Sequence, residues 1–312
     1  MIDFRYHVVS LVAVFLALAT GIVIGGFSLR GEVADQLHGQ VAGLRTDKAD
    51  LQSQLTRAST GNKKRDEAVT DLAPKVLAGS LPGQRVAVVA LPGVEDSLTK
   101  NIKTTIASGG GQVVATVTLS DKWTDAAYAT SDSMRQHAGT LGISTSDVRP
   151  DRLAGAVLAR ALARQDGSAR NVLKDFSDGD ATTVEPSQAP PATSIVLVWP
   201  GMVDKAGIVK KWSGLVSGVG ISVTAVVGVS SGSASTDKGP TPDALISSVR
   251  ETPDVVSVMS TIDDGAIPIG QIALGLALRD ELAGKSGQYG LGRDASALLP
   301  RVTPAAATEP PS

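Results

Sequence analysis

Residues 85–119, RVAVVALPGVEDSLTKNIKTTIASGGGQVVATVTL, decide the fold class. Arg85 to Leu91 is a short apolar run without polar alternation, the pattern of a parallel strand buried on both faces. Pro92-Gly93 turns the chain, Glu95 to Ala107 has helical spacing, Gly109-Gly110-Gly111 ends that helix, and Gln112 to Leu119 supplies the next strand. The same grammar returns downstream. Ser194 to Trp199 (SIVLVW) reads as a strand, Pro200-Gly201 as a turn and Met202 to Val216 as a helix, with Gly218 and Gly220 as its terminators before a strand at Ile221 to Val229. The two Pro-Gly pairs lie 108 positions apart, which fits a weak internal duplication or one α/β grammar used twice. A helix near Pro242 to Arg250, a strand at Val255 to Met259 and a last helix from about Pro268 to Leu282 complete the pattern, with Asp151 to Arg164 as an additional helix. The expected fold is α/β, an open, mainly parallel sheet flanked by helices over residues 82–295. The Asp-, Ser- and Pro-rich stretch 165–193 reads as a mobile insertion, and the proline-rich 300–312 as a disordered tail. The pattern argues against a transmembrane β-barrel, which needs many strands of about ten residues with strict in/out alternation, whereas these strands are short, apolar on both faces and separated by helices.

Ahead of this domain lies a different kind of sequence. Val8 to Phe27 carries no charge and is long enough, at about 1.5 Å per residue, to cross a bilayer core of about 30 Å. Arg5 and Arg30 flank it, so the charge bias is small. A cleaved secretory signal has an apolar core of about 7–15 residues and a small-x-small site. This run is longer and ends in Gly21-Ile-Val-Ile-Gly-Gly-Phe27, so an uncleaved anchor is expected, with a cleaved peptide as the alternative. Residues 1–7 are then cytoplasmic, and everything after 27 is extracytoplasmic in a single-pass protein of the cell membrane or envelope. From 29 to 73 the composition is that of a stalk. Leu37, Val41, Leu44, Lys48, Leu51 and Leu55 alternate steps of four and three, the a/d seam of a coiled coil. Three heptads are short, so homo-oligomerisation or capture of a partner's helix stands beside the alternative of a lone amphipathic stalk. Lys48 weakens the seam and can select register or partner. Gly61-Asn62 and Pro74 are expected to break the helix.

The chain of 312 residues has a formal net charge of -2 and only 3% aromatic residues, which argues against nucleic-acid binding. It has no cysteine, excluding thiolate metal sites and disulfides. In open parallel sheets ligands sit beyond the carboxyl ends of the strands. The candidates there are Pro92 and Gly93, Pro200 and Gly201, Ser230-Ser231-Gly232, and Asp263 and Asp264. No GxGxxG or P-loop pattern accompanies them. Asp263-Asp264 suits a hard cation or a cap for the last helix. With His38 in the stalk and His137 in a loop, no nucleophile triad assembles and no enzyme is expected. Copper prefers Cys, Met and His; Met134 and His137 lie three apart and are the candidate metal pair, although two ligands make a poor site.

Three segments carry a family likeness: His7 to Gly25 (HVVSLVAVFLALATGIVIG), Ser260 to Asp264 (STIDD) and Ile272 to Gly290 (IALGLALRDELAGKSGQYG). The last ends in Gly287, Gln288, Tyr289 and Gly290, the most distinctive piece. With the order of anchor, coil and α/β domain, nearly the whole chain resembles the mycobacterial copper-transport family MctB of actinobacteria. The resemblance implies copper efflux and copper resistance, with copper as the transported ion and no certain cofactor. It also extends to SteB-like envelope proteins, which implies an alternative role as a scaffold recruiting a cell-division or peptidoglycan-hydrolase partner. It supplies no ligand motif to match. A single helix per chain encloses a pore only by oligomerising.

Overall fold

The computed structural model describes residues 4–301 apart from 165, 187–188, 203–206, 233, 237–238 and 242, with backbone alone at 26–36 and 234–241. In chain order its helices and strands are α1 (Phe4–Leu77), β1 (Arg85–Ala90), α2 (Asp96–Ser108), β2 (Gln112–Leu119), α3 (Ala126–Ala129), α4 (Asp132–Thr140), α5 (Leu153–Ala163), α6 (Gly167–Asp178), β3 (Thr182–Glu185) and β4 (Ser194–Trp199). They continue as α7 (Ile208–Gly220), β5 (Val226–Ser230), β6 (Ala234–Thr236), β7 (Gly239–Thr241), α8 (Ala244–Arg250), α9 (Pro253–Val256), β8 (Ser260–Ile262), α10 (Pro268–Leu282) and β9 (Gln288–Tyr289). Two compact units divide between Arg65 and Asp66.

The first unit is helical. Its span Phe4–Gly25 has a mean hydropathy of 2.6, long and apolar enough to cross a membrane. The expected break at Gly61-Asn62 does not occur, and α1 continues past Pro74 to Leu77. An interior glycine costs a helix only about 1 kcal/mol. Side-chain bonds of the i, i+3 and i, i+4 kind, Arg65 to Asn62 at 2.9 Å and Arg57 to Ser53 at 2.8 Å, brace that stretch. The end of α1, from Asp66 on, belongs to the second unit: Pro74 sits one turn from the helix end, where Val69, Ala73 and Leu77 pack with Ile272 and Leu276 of α10. Gly275 makes room there, since a Cβ on it would overlap the Leu77 side chain. Burying a leucine contributes about 1.5–3 kcal/mol, enough to offset the proline's lost hydrogen bond.

The second unit is the α/β domain. Its seven-stranded sheet has the order β3-β2-β1-β4-β5-β8-β9, parallel throughout except for β3. The parallel strands β2-β1-β4-β5-β8 follow a doubly wound order whose direction reverses between β1 and β4. Strand alternation divides the core. Val86, Val88, Val196 and Val198 face α2 and α10, whereas Ala87, Val89, Ile195, Leu197 and Trp199 face the layer of α5, α7 and α8.

Several boundaries differ from the sequence expectations, each for a physical reason. Within 165–193, which reads in the sequence as a mobile insertion, the described residues contain α6 and the edge strand β3. Asp166 caps α6 by accepting from the Ala169 N–H at 2.9 Å, and Ala169, Val172 and Phe176 bury a helical stripe beneath a polar surface. The run at 255–259 is no strand: Pro253 at the first turn starts α9, and the strand comes afterwards at Ser260. A short apolar run alone does not separate the two. The second helix starts at Ile208, not Met202, and passes through Gly218 and Gly220, so these glycines do not terminate it. Its following strand begins at Val226 rather than Ile221. Of the proposed tail, 302–312 lie outside the described residues.

Candidate functional site

The rims beyond the carboxyl ends of the strands bring the sequence candidates into two places. At the reversal of strand order, Gly93 adopts φ +85, and a Cβ there would sit 3.5 Å from the Pro200 ring. The two Pro-Gly turns therefore meet, and the Gly201 N–H donates to Ser231 Oγ at 2.9 Å. Beside Pro92 and Gly93 is a hollow of about 440 Å³ whose charged lining is Asp96, Lys100, Lys103 and Glu185.

The second place is built around Asp263 and Asp264, at the end of β8. Asp263 does not cap the last helix, whose N-cap position is Ile267. It faces Arg250, the last residue of α8, whose side chain is only 4% exposed. Arg250 Nη1 donates to Asp263 Oδ2 at 3.0 Å and to Asp294 Oδ1 at 2.8 Å, Nη2 to the Tyr289 carbonyl at 2.8 Å, and Nε to Thr261 Oγ1 at 2.8 Å. The Leu291 N–H donates to Asp263 Oδ1 at 2.8 Å and to Asp264 Oδ2 at 3.0 Å, and the Gly292 N–H donates to Asp263 Oδ2 at 3.0 Å. Backbone and side chain thus form one clasp over residues 289–294.

The glycine of the GQYG segment is explained by this clasp. Gly290 has φ +129, and a Cβ on it would fall inside the Asp263 carboxylate. At Gly287 a Cβ would overlap the hydroxyl end of the Tyr289 ring. Gln288 and Tyr289 form β9, which extends the sheet beside Thr261 and Ile262. The Ser260 hydroxyl donates to Glu281 Oε1 at 2.6 Å and accepts from the Gly287 N–H at 3.0 Å. Burial raises the pKa of Glu281 above the ordinary carboxylate value despite that bond.

The two aspartates of the clasp are driven apart. Burial opposes ionisation of Asp263, but hydrogen bonds from Asp264 and Arg250 and the guanidinium charge outweigh it and hold its pKa low. Burial, followed by the hydrogen bond with Asp263 and its negative charge, pushes Asp264 up to about 6. Below about pH 6 the pair therefore holds one proton, on Asp264 rather than Asp263. Because Asp264 has a higher pKa folded than unfolded, its contribution to stability is complete below the ordinary aspartate range and is lost as pH rises through about 6. Asp264→Asn, which mimics the protonated side chain, is expected to gain melting temperature relative to the parent between pH 5 and pH 7.5. A constant gap in paired melting curves at the two pH values would refute the assignment.

Nearby, Asp243 caps α8 and is buried. It accepts from the Leu245 N–H at 2.8 Å, from Trp199 Nε1 at 3.0 Å and from the Ser230 hydroxyl. Burial raises its pKa. A hollow of about 220 Å³ lies between Asp243, Ser247, Asp264 and Asp294. Since both Asp263 oxygens are taken by protein donors, the chemistry of this place is that of a clamp.

Met134 and His137 lie on α4, so His137 is in a helix rather than a loop. Met134 is 1% exposed and belongs to the core. The His137 ring stands 3.2 Å from Ser133 Oγ, edge-on to Phe176 and 4.0 Å from Asp175. Among the described residues no group of three or more His, Cys, Asp or Glu is placed to hold a metal ion. The seam residues give the opposite picture. Leu37, Val41, Leu44, Leu51 and Leu55 are 54%, 44%, 68%, 65% and 71% exposed, an apolar stripe left open in the single chain. Arg250 was invisible in the sequence reading, since a helix-terminal arginine has no local signature of a buried clamp.

A sequence profile of the family described as "Copper transport outer membrane protein, MctB" matches residues 1–300. The protein named copper transporter MctB of Mycobacterium tuberculosis (strain H37Rv) is 28% identical over 330 positions, covering 96% of this chain and 99% of the relative. Its namesake in Mycobacterium leprae is 28% identical over 331 positions with the same coverage. The catalytic subunit of an M. jannaschii aspartate transcarbamoylase aligns with 72% of this chain and 94% of its own at 13% identity and a TM-score of 0.18, too slight a likeness to inform the fold.

Proposed function

Since this chain belongs to the MctB family of copper-transport proteins, we propose that it serves copper efflux as an oligomer, each copy tied to a membrane by one N-terminal helix and holding its α/β domain outside the cytoplasm. The family match along residues 1–300 carries the copper assignment. Copper is the cargo in this reading, not a resident cofactor. The transport role is assigned to an assembly because of the apolar span and the exposed seam. Among the described residues each copy has one span, Phe4–Gly25, which cannot surround an aqueous path, and the exposed seam from Leu37 to Leu55 would bring copies together. Pairing would remove five large apolar side chains from water, at about 25 cal/mol per Å² buried.

The direct test is deletion of the gene, followed by measurement of cell-associated copper under copper stress with the intact gene restored as control. The expected result is a rise in copper that complementation reverses. Unchanged copper would overturn the efflux reading. It would favour the second reading, an envelope scaffold whose seam captures a partner's helix in cell division or peptidoglycan hydrolysis. The observation that favours that alternative is Lys48 at a seam position, a polar intrusion of the sort that specifies a partner at some cost in stability.

A further inference from the structure

The edge strand β3 pairs with β2 and, among the described residues, with nothing on its other side. The direction of its free groups follows from one hydrogen bond. The Ser120 N–H donates to the Ala181 carbonyl at 3.0 Å, immediately next to the paired Leu119 and Thr182. In an antiparallel ladder bonded and non-bonded pairs alternate. Thr118–Thr183 and Thr116–Glu185 are therefore the bonded pairs, whereas Leu119–Thr182 and Val117–Val184 are not. The N–H and C=O groups of Thr182 and Val184 point away from β2; Thr182 is only 5% exposed, so the half-buried Val184 offers the accessible pair.

Along that edge runs a groove of about 640 Å³, walled on one side by Thr182, Thr183 and Val184 and on the other by α6 through Arg170, Leu173 and Lys174. An open strand edge facing a helix across a groove is the geometry of recognition by strand addition: backbone bonds supply affinity and alternate side chains supply specificity. The edge is held in place from beneath. Trp123 Nε1 donates to the Ala181 carbonyl at 2.7 Å and to Thr182 Oγ1 at 3.1 Å, and the Trp123 ring packs edge-on against Phe176 of α6. Strand and helix thus keep a fixed separation, which lowers the ordering cost of binding.

Charge selects the occupant. Asp178 is the acidic residue of the groove lining, and Lys174 holds it in an ion pair. Arg170 is exposed and has no partner among the described residues, so the groove carries one unmatched positive charge. We propose that this groove binds an extended peptide segment of a protein partner, added as a further strand on β3 with an aspartate or glutamate side chain against Arg170. The inference is independent of copper and of the stalk.

A library of random octapeptides displayed on phage, panned on the full-length chain in detergent micelles, tests it, with Val184→Pro as the counter-selection. The substitution removes an outward N–H at a sheet edge, where proline is tolerated. The enriched sequences are expected to alternate β-branched and other residues and to contain Asp or Glu. A synthetic copy of the foremost sequence should bind the parent about tenfold more tightly than Val184→Pro or Arg170→Glu. N-methylation of alternate peptide amides should abolish binding, a readout that does not depend on how any variant folds. The proposal is overturned if no sequence prefers the parent chain, if enriched peptides are basic, or if N-methylation leaves binding intact. It is overturned too if Val184→Pro dissolves a dimer of the parent, since the edge would then belong to a second copy.

Discussion

Arg250→Ala is expected to lower the melting temperature of the α/β domain by roughly 10 °C. The guanidinium is buried and makes four bonds, to Thr261, Asp263, Tyr289 and Asp294, joining α8, β8, β9 and the segment after it. Truncation leaves the Asp263 carboxylate buried without its cation, and breaking one side of a buried ion pair costs about 3–5 kcal/mol. In a domain of this size 1 kcal/mol is worth about 2–4 °C. Residues 289–294 should be released with it, so proteolysis is expected to cut near Leu291 before the core unfolds. Adding Asp263→Asn should recover part of the loss, because the stranded charge is removed. A melting temperature within about 2 °C of the parent would mean that the clasp does not hold the domain's edge.

Gly218→Ala should be the second large loss, and here the sign alone decides. At an exposed helix position the change from glycine to alanine stabilises by about 1 kcal/mol. Gly218 of α7 instead lies against the backbone of α5: a Cβ on it would fall inside the Arg152 carbonyl oxygen and 2.9 Å from its carbon. Gly155 of α5 meets the Leu215 carbonyl in the same way, so the two helices cross with glycines on both surfaces. Neither backbone can yield without lifting a helix from the core that Leu158, Leu215 and Val219 share. The expected cost is on the order of 3 kcal/mol, at the upper end for overpacking. A gain in stability on thermal denaturation would contradict the close crossing.

These two cases also mark how far the sequence could be read. The strands at Arg85, Gln112 and Ser194 were legible because buried parallel strands write themselves as unbroken apolar runs between glycines and prolines. The last helix, Pro268–Leu282, was legible because a proline starts it and its apolar residues are continuous. Gly218 reads in the sequence as a terminator but lies inside α7, since a glycine kept for close helix packing and one kept for a helix end look alike in one dimension. The stretch 165–193 concealed α6 and β3 because its apolar residues are few and widely spaced among Asp and Ser. Their meaning comes from Trp123, far away in sequence. Asp263-Asp264 and the GQYG segment each stand out in the sequence, but nothing local joins them; β9 and Arg250 do so only in three dimensions.

The proposed efflux depends on pairing of copies through the stalk. The decisive measurement is cell-associated copper under copper stress in the deletion strain, complemented either with the parent gene or with one carrying Leu44→Asp and Leu51→Asp. Both residues lie in the open seam and outside the α/β domain, so that domain's melting curve should be unchanged in the variant. The account predicts that the parent gene restores low copper and that the seam variant, present at equal level in the membrane, leaves copper as high as in the deletion. Full restoration by the seam variant would contradict it.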